Sequence, residues 1–118
     1  MKIVLFVVVL LLVGKASTAQ KKLPYDFPDE ANTDSAKKAF DKQFHNGQAI
    51  YKITCAKCHN KLVDGKETIP DFSLPQLMDY EIRIFPEHSE KIPETRITEK
   101  ELANVVSFLR FRKKSGVK

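Results

Sequence analysis

The sequence predicts a small all-α domain. Apolar side chains recur at helical spacing in three segments, 34–54, 74–85 and 98–111. The segment that leads to residue 55 is helical in period and contains no strand of Val and Ile residues. Without a predicted leader of 19 residues the chain has 99 residues, a length typical of one domain with one core. We therefore predict a single helical domain over residues 34–118.

Residues 1–19 have the pattern of a secretory signal peptide. Lys2 supplies a positive charge, an unbroken apolar run covers residues 3–13, and small residues at 17–19 suit a signal peptidase. The run is well short of the roughly 20 apolar residues that a membrane-spanning helix needs. We expect an exported, periplasmic or otherwise extracytoplasmic protein with no stable membrane span after cleavage.

The net charge does not indicate a protein that binds nucleic acid. The formal charge is +5, and loss of Lys2 and Lys15 with the leader leaves 18 basic against 15 acidic residues, or +3. Basic and aromatic residues do not form the combined pattern of nucleic-acid-binding surfaces. We expect no nucleic-acid partner.

The elements follow in order along the chain. Residues 20–33 have two prolines and no period, so they predict an extended N-terminal arm, ordered where its aromatic residues dock. Thr33 or Asp34 is expected to cap the first helix, and its predicted buried face comprises Ala36, Ala39, Phe40 and Phe44. Residues 60–68 predict a polar loop with a turn at Gly65.

Two further helices complete the predicted domain. The second begins at Ser73 and ends before Pro86, with an apolar stripe of Leu74, Leu77, Met78, Ile82 and Phe85. Thr98 and Glu101 form a predicted capping box for the last helix. Its apolar face comprises Leu102, Val105, Val106, Phe108 and Leu109. Its basic end, 110–114, complements the helix dipole and is expected to be solvated; the alternative is a docking patch for an acidic redox partner.

Both cysteines lie in the pentapeptide Cys55-Ala56-Lys57-Cys58-His59. Two thiols at positions i and i+3 and an imidazole at i+4 share one face of a helical turn. The order Cys-x-x-Cys-His is the pattern of a c-type haem attachment site. Cys55 and Cys58 would bind the two vinyl groups as thioethers, and His59 would bind iron. The pentapeptide therefore predicts one covalently attached haem c.

Three other kinds of site also use a pair of cysteines. A thioredoxin-type dithiol motif follows a buried strand, and no strand precedes Cys55. A zinc site needs four ligands, but the other histidines, His45 and His88, stand at no recognised spacing. A disulfide between Cys55 and Cys58 would close a loop too small to stabilise the fold much.

The residues before the pentapeptide carry a family resemblance. Gly47 and Tyr51 precede the cysteines in a Gly-x-x-x-aromatic pattern, and with the pentapeptide they resemble class I cytochromes c. Residues 98–109 resemble the C-terminal helix of that family, and the resemblance extends from 34 to 113. It implies a cytochrome c-like helical domain wrapped around one haem, in which the last helix crosses the first near Gly47 and Tyr51 fills the contact.

The resemblance also implies further residues around the haem. The Pro70 carbonyl would accept a hydrogen bond from His59. The family usually places a methionine ligand in the loop before the last helix, where this chain has Ile92, so the expected ligand is missing. We rank His88, in the same loop, first as the distal ligand and an open or water-bound position second. Met78 comes last because it lies on a predicted helical stripe, where methionine usually fills a core.

These observations predict an exported monohaem cytochrome that carries single electrons between redox protein partners and is not an enzyme. One alternative is a haem protein with an open sixth position that binds a gas or peroxide, with minor peroxidase-like activity. The other alternative is a haem-free Cys-x-x-Cys thiol protein.

Overall fold

A computed structural model describes residues 23–79 and 96–118, and this part of the chain is mostly helical. The predicted leader, the candidate distal ligand His88, Ile92 at the place of the family's methionine, and the end of the second predicted helix lie outside the described residues. In chain order the elements are α1 (Asp34–Ile50), a π-helical turn (Tyr51–Cys55), α2 (Ala56–His59), β1 (Lys61–Val63), β2 (Lys66–Thr68), α3 (helical over 74–79) and α4 (Glu99–Phe111).

Helix α1 begins as its sequence predicts. The Thr33 hydroxyl accepts a hydrogen bond from the Ala36 N–H at 3.1 Å, so Thr33 rather than Asp34 is the cap. Phe40, Phe44 and Gly47 form the buried face. The prediction was wrong for Ala39, which is exposed, and Ala36 is only half-buried. Successive helical residues are rotated by about 100°, so Ala39 lies well to one side of the stripe defined by Phe40.

Helices α1 and α4 meet at backbone contact. A Cβ atom placed on Gly47 would lie 1.9 Å from the carbonyl oxygen of Asn104 and 3.0 Å from the Cβ of Phe108. The crossing therefore requires glycine at position 47. The predicted crossing of the last helix over the first near Gly47 is confirmed.

The core surrounds this crossing. The ring of Phe108 lies 5.2 Å from that of Phe44 and 5.7 Å from that of Tyr51, measured between centroids. Such separations are typical of favourable aromatic pairs. The buried cluster comprises Tyr25, Phe40, Phe44, Tyr51, Leu77, Val105, Phe108 and Leu109.

The N-terminal arm contributes to this core from residue 24 onward. Tyr25 is buried, and its hydroxyl donates a 2.5 Å hydrogen bond to Asp41. Burial, reinforced by that bond and by the charge of Asp41, raises the pKa of Tyr25 to about 12. The Asp26 N–H donates to Phe111 O, and the Lys113 N–H donates to Pro24 O, both at 3.0 Å. The arm therefore pairs with the chain that leaves α4.

Helix α4 has the predicted capping box. The Thr98 hydroxyl accepts from the Glu101 N–H at 3.2 Å, and the Thr98 N–H donates to the Glu101 carboxylate at 2.7 Å. Of its predicted apolar face, Leu102, Val105, Phe108 and Leu109 are buried and Val106 is half-buried. Two backbone groups at the start of the helix are thus satisfied locally, and the apolar stripe is free to face α1.

Helix α3 starts with a similar reciprocal pair. The Ser73 N–H donates to the Gln76 side chain at 2.8 Å, and the Ser73 hydroxyl accepts from the Gln76 N–H at 3.4 Å. Leu77 is 1% exposed, whereas Leu74 is 47% and Met78 65% exposed. The predicted buried stripe is therefore wrong for these two. Leu77 contacts the core, and Leu74 and Met78, four residues apart, share a different side of the helix.

Residues 61–68 form a β-hairpin where a loop was predicted. Asp64 and Gly65 have φ of 50° and 74°, which places both turn residues in the left-handed region that a tight hairpin needs. Leu62 pairs with Glu67 in the antiparallel register. The all-α prediction is corrected to a mostly helical fold with one small two-stranded sheet.

Within residues 23–79 and 96–118, no helix has the length and apolar character needed to cross a membrane.

Substitution of Gly47 by alanine tests the helix crossing. We expect Gly47→Ala to lower the free energy of unfolding by about 1–3 kcal/mol, because the added methyl group meets the backbone of Asn104. This loss would appear even though alanine favours helix over glycine by about 1 kcal/mol. Urea unfolding measures the change. Gln48→Ala at the neighbouring exposed position should stay within about 0.5 kcal/mol of the parent. A stabilised Gly47→Ala protein would contradict the close contact.

Candidate functional site

The π-helical turn carries the chain from α1 into the pentapeptide. The Ala56 N–H bonds to the Tyr51 carbonyl five residues back, so this turn is wider than an α-helical turn. Tyr51 is buried on the core side, whereas Ile53 is 83% exposed. The turn was not predicted, since no Gly or Pro lies between Gly47 and Gly65 to mark it. The π-helical turn joins α1 to α2 without a break, and its wider turn determines the direction in which the cysteines project from the helix axis.

Cys55 and Cys58 are both unbridged, but their surroundings differ. Cys55 is half-buried and packs against the core, whereas Cys58 is exposed. Burial raises the pKa of the Cys55 thiol, and the neighbouring charge of Cys58 raises it further. Reactive dithiol sites instead have a thiol with a depressed pKa. The environment of Cys55 therefore does not favour thiol–disulfide chemistry.

His59 is the last residue of α2 and lies beside Phe72, in the loop that precedes α3. It is half-buried, and its ring lies 6.3 Å from the Phe72 ring in an edge-to-face arrangement. The next residue, Asn60, accepts a 2.9 Å hydrogen bond from the Tyr51 hydroxyl, and its N–H donates to Ala56 O. Tyr51 thus connects the end of α2 to the core through a single side chain.

The loop that contains Pro70 lies against the same core as the pentapeptide. Ile69 and Phe72 pack on the buried cluster, as Cys55 does, and Pro70 itself is buried. The Pro70 carbonyl accepts a hydrogen bond from Nη2 of Arg112 at 2.7 Å. The expected acceptor for His59 is therefore bound by another residue. A carbonyl oxygen has two lone pairs, so it can accept from two donors.

Arg112 corrects the prediction that the basic end of α4 is solvated. Its side chain is buried, and Nη2 also donates to Ile69 O at 3.1 Å and to the Asp71 carboxylate at 2.9 Å. The Asp71 carboxylate accepts further bonds from the N–H groups of Ser115 and Gly116, at 2.9 and 2.7 Å, and from the Ser115 hydroxyl. The residues that follow α4 thus hold the loop at residues 69–71 in place through hydrogen bonds.

These contacts determine the ionisation of Asp71. Burial by itself would raise the pKa of this carboxyl group. The hydrogen bonds from Ser115 and Gly116 and the charge of Arg112 outweigh burial, so the pKa lies below its ordinary value. Asp71 is therefore a carboxylate that the fold stabilises.

Exposed apolar side chains lie close to the pentapeptide in sequence. Among the described residues the large exposed hydrophobic side chains are Leu23, Ile53, Leu62, Val63, Leu74 and Met78. All but Leu23 fall within residues 53–78, the segment that contains the pentapeptide, the hairpin and α3. A flat apolar cofactor held by the cysteines would remove such side chains from water.

Of the two candidate distal ligands, His88 and Met78, Met78 alone falls in the described part of the chain. It is exposed on α3, so the argument that it fills the core does not hold. In residues 23–79 and 96–118 no group of three or more His, Cys, Asp or Glu side chains is placed to hold a metal ion.

Comparisons with known proteins do not assign the chain to a family. No protein-family model, curated protein or solved structure matches it. The resemblance to class I cytochromes c rests on the sequence pattern that links Gly47, Tyr51 and the pentapeptide, and on the pattern of residues 98–109.

The two thiols should differ in reactivity. In haem-free protein we expect an alkylating reagent near neutral pH to modify Cys58 faster than Cys55, because Cys55 is half-buried and its pKa is raised. Peptide mass spectrometry at timed intervals measures both rates. In urea-unfolded protein the two rates should converge. Faster modification of Cys55 in the folded protein would contradict the structure.

Asp71 should make stability depend on pH. Because its pKa is lower in the folded than in the unfolded state, its contribution is present above the ordinary carboxyl pKa of about 3.9 and is lost as pH falls through the folded value. We expect Asp71→Asn to be less stable than the parent near neutral pH, and the difference to shrink in acid. Urea unfolding over a pH series measures this.

The matched control is Asp26→Asn, which removes the exposed ion pair with Lys113 next to Arg112. An exposed pair contributes little to stability, so this variant should track the parent. A pH-independent difference between Asp71→Asn and the parent would contradict the assigned ionisation.

Proposed function

We propose that the protein is an exported monohaem c-type cytochrome that carries single electrons between redox proteins. One observation carries the proposal: two unbridged thiols, Cys55 and Cys58, and the imidazole of His59 lie within one short helical segment. These are the donor groups that covalent haem attachment requires. The exposed apolar side chains between residues 53 and 78 supply surface for such a cofactor to cover.

Each residue of the site has a role in this proposal. Cys55 and Cys58 form the thioether bonds, and His59 binds from the proximal side. The hydrogen bond from Tyr51 to Asn60 holds the end of α2, and with it His59, at a fixed position relative to the core. Bound haem supplies an iron that gains and loses one electron. In this proposal α1, α3 and α4 are the helices of a cytochrome c-like domain.

The distal side distinguishes two functions. His88 and Met78 are the candidate protein ligands, and the exposure of Met78 makes it a stronger candidate than the sequence alone suggested. Histidine and methionine ligands would give different reduction potentials, because the softer thioether raises the potential. If neither residue binds, an open position makes the protein a small-ligand sensor rather than a carrier. The haem-free thiol alternative is disfavoured by the raised pKa of Cys55.

Covalent haem attachment tests the proposal directly. We expect the full chain, expressed in a bacterium with an active haem-attachment system, to carry one haem that survives denaturation. A pyridine haemochrome spectrum and haem staining after denaturing electrophoresis measure this. Because the thioether bonds need both thiols, the double variant Cys55→Ser, Cys58→Ser should retain no covalent haem.

Lys57→Ala, which changes an exposed residue inside the pentapeptide, is the matched control and should load haem as the parent does. Absence of covalent haem from the parent chain would refute the proposal. Haem loading accompanied by rapid carbon monoxide binding to the reduced protein would favour the small-ligand function over electron transfer.

A further inference from the structure

The chain that follows α4 turns back across the loop that precedes α3. We name residues 113–118 the strap. The Asp71 N–H donates to Val117 O at 2.5 Å, and the Ser115 hydroxyl donates to Ile69 O at 2.8 Å. The strap is therefore bound to this loop through both backbone and side-chain hydrogen bonds.

The Asp71 carboxylate is the centre of this attachment. It accepts from the N–H groups of Ser115 and Gly116 at 2.9 and 2.7 Å, and from the Ser115 hydroxyl at 3.1 Å. Gly116 has a φ of 79°, a left-handed conformation that favours glycine. In such a turn, successive N–H groups can converge on one anion. The backbone of the strap is therefore shaped around a negative charge.

No buried side chain holds the strap in place. Val117 is half-buried, and the other strap residues are exposed. Segments with few buried apolar contacts and exposed hydrogen bonds open at a low cost in free energy. The loop has further attachments, because Pro70 is buried and the carbonyl groups of Ile69 and Pro70 accept from Arg112. The strap can therefore open while the loop stays on the core.

The charges around Asp71 favour its ionised form. Arg112, at the end of α4, forms an ion pair with it at 2.9 Å. On the neighbouring segments, Lys113 pairs with Asp26 of the N-terminal arm, and Lys61 of β1 donates to a strap carbonyl. Burial by itself would raise the pKa of Asp71, but the bonds from the strap and the charge of Arg112 hold the pKa below its ordinary value. Loss of the negative charge would weaken the acceptor on which the strap closes.

We propose that the strap is a conformational latch controlled by the charge of Asp71. The ionised carboxylate holds the strap closed over the loop, and loss of that charge lets the strap open as a unit while the helical core stays folded. This inference goes beyond the proposed function and does not depend on haem. The loop leads directly into Phe72, whose ring lies against that of His59, so opening of the strap removes one support of that contact.

Amide hydrogen exchange of the full-length protein, measured residue by residue by NMR, tests whether the strap opens by itself. Each rate is divided by that of an unstructured chain at the same pH. Near neutral pH the amides of Ser115 and Gly116 should exchange through local opening, so low concentrations of urea should leave their rates unchanged. The amide of Phe108, at the helix crossing, should exchange through larger unfolding, so urea should accelerate it. Equal dependence on urea for strap and core amides would show that the strap does not open as a separate unit.

The charge of Asp71 is tested by substitution and by acid. We expect Asp71→Asn to accelerate exchange of the two strap amides about tenfold or more near neutral pH, because their acceptor loses its charge. In the parent the same amides should lose protection as pH falls below about 3.9, because the open strap leaves the carboxyl free to bind a proton. Asp71→Asn should lack this acid response. Asp26→Asn, which removes the exposed ion pair of Lys113, is the matched control and should behave as the parent does.

Gly116→Ala separates the shape of the strap from the charge that holds it. Apart from its chain neighbours, no atom of the described residues lies within 4 Å of the added methyl group, so its cost comes from the left-handed backbone. We expect strap exchange about fivefold faster or more, with the acid response of the parent retained. If Asp71→Asn does not fold, the acid responses of the parent and of Gly116→Ala decide the question. Unchanged strap exchange in Asp71→Asn, or a parent without the acid response, would overturn the role of Asp71. Absence of covalent haem would refute only the proposed function.

Discussion

The contact between Gly47 and the backbone of Asn104 is the constraint on which the rest of the structure depends. At a separation that leaves no room for a methyl group, α1 and α4 can interlock the rings of Phe44 and Phe108. Because α1 continues through the π-helical turn into α2, this contact also fixes where the cysteines emerge. The candidate site is positioned by packing two to three turns away from it, rather than by contacts within the site itself.

Helix α4 controls the site from a second direction. Its continuation places Arg112 and Ser115 on the loop at residues 69–71, and this loop lies beside His59 through Phe72. One element therefore anchors both the helix that carries the thiols and the loop that faces them. A displacement of α4 would move the thiol-bearing helix and the loop together. Their relative geometry would therefore change less than if each packed on a different element.

Sequence patterns could predict the features that depend on local chemistry. The caps at Thr33 and Thr98 follow from hydroxyl groups that satisfy nearby N–H groups. The helix crossing at Gly47 is expected from the resemblance to class I cytochromes c, not from local chemistry. Asp64-Gly65 is a sequence signal for a hairpin, whereas Gly65 alone predicts only a turn in a polar loop. The π-helical turn has no Gly or Pro to mark it. The burial of Arg112 has no local signal, because its partners are distant in sequence. Arg112 meets residues more than forty positions away.

The distribution of apolar side chains links the small core to the proposed cofactor. The buried cluster follows the α1–α4 crossing, while Ile53, Leu62 and Met78, in the segment that contains the pentapeptide, remain exposed. A domain of this size buries a limited share of its surface. An apolar group attached covalently at the edge of the core would add to the buried apolar surface. Attachment and folding would then be coupled, since the attached apolar group is removed from water only in the folded state. Covalent bonds from Cys55 and Cys58 would keep the cofactor on the chain in the folded and the unfolded state alike, so the chain need not enclose the cofactor to retain it.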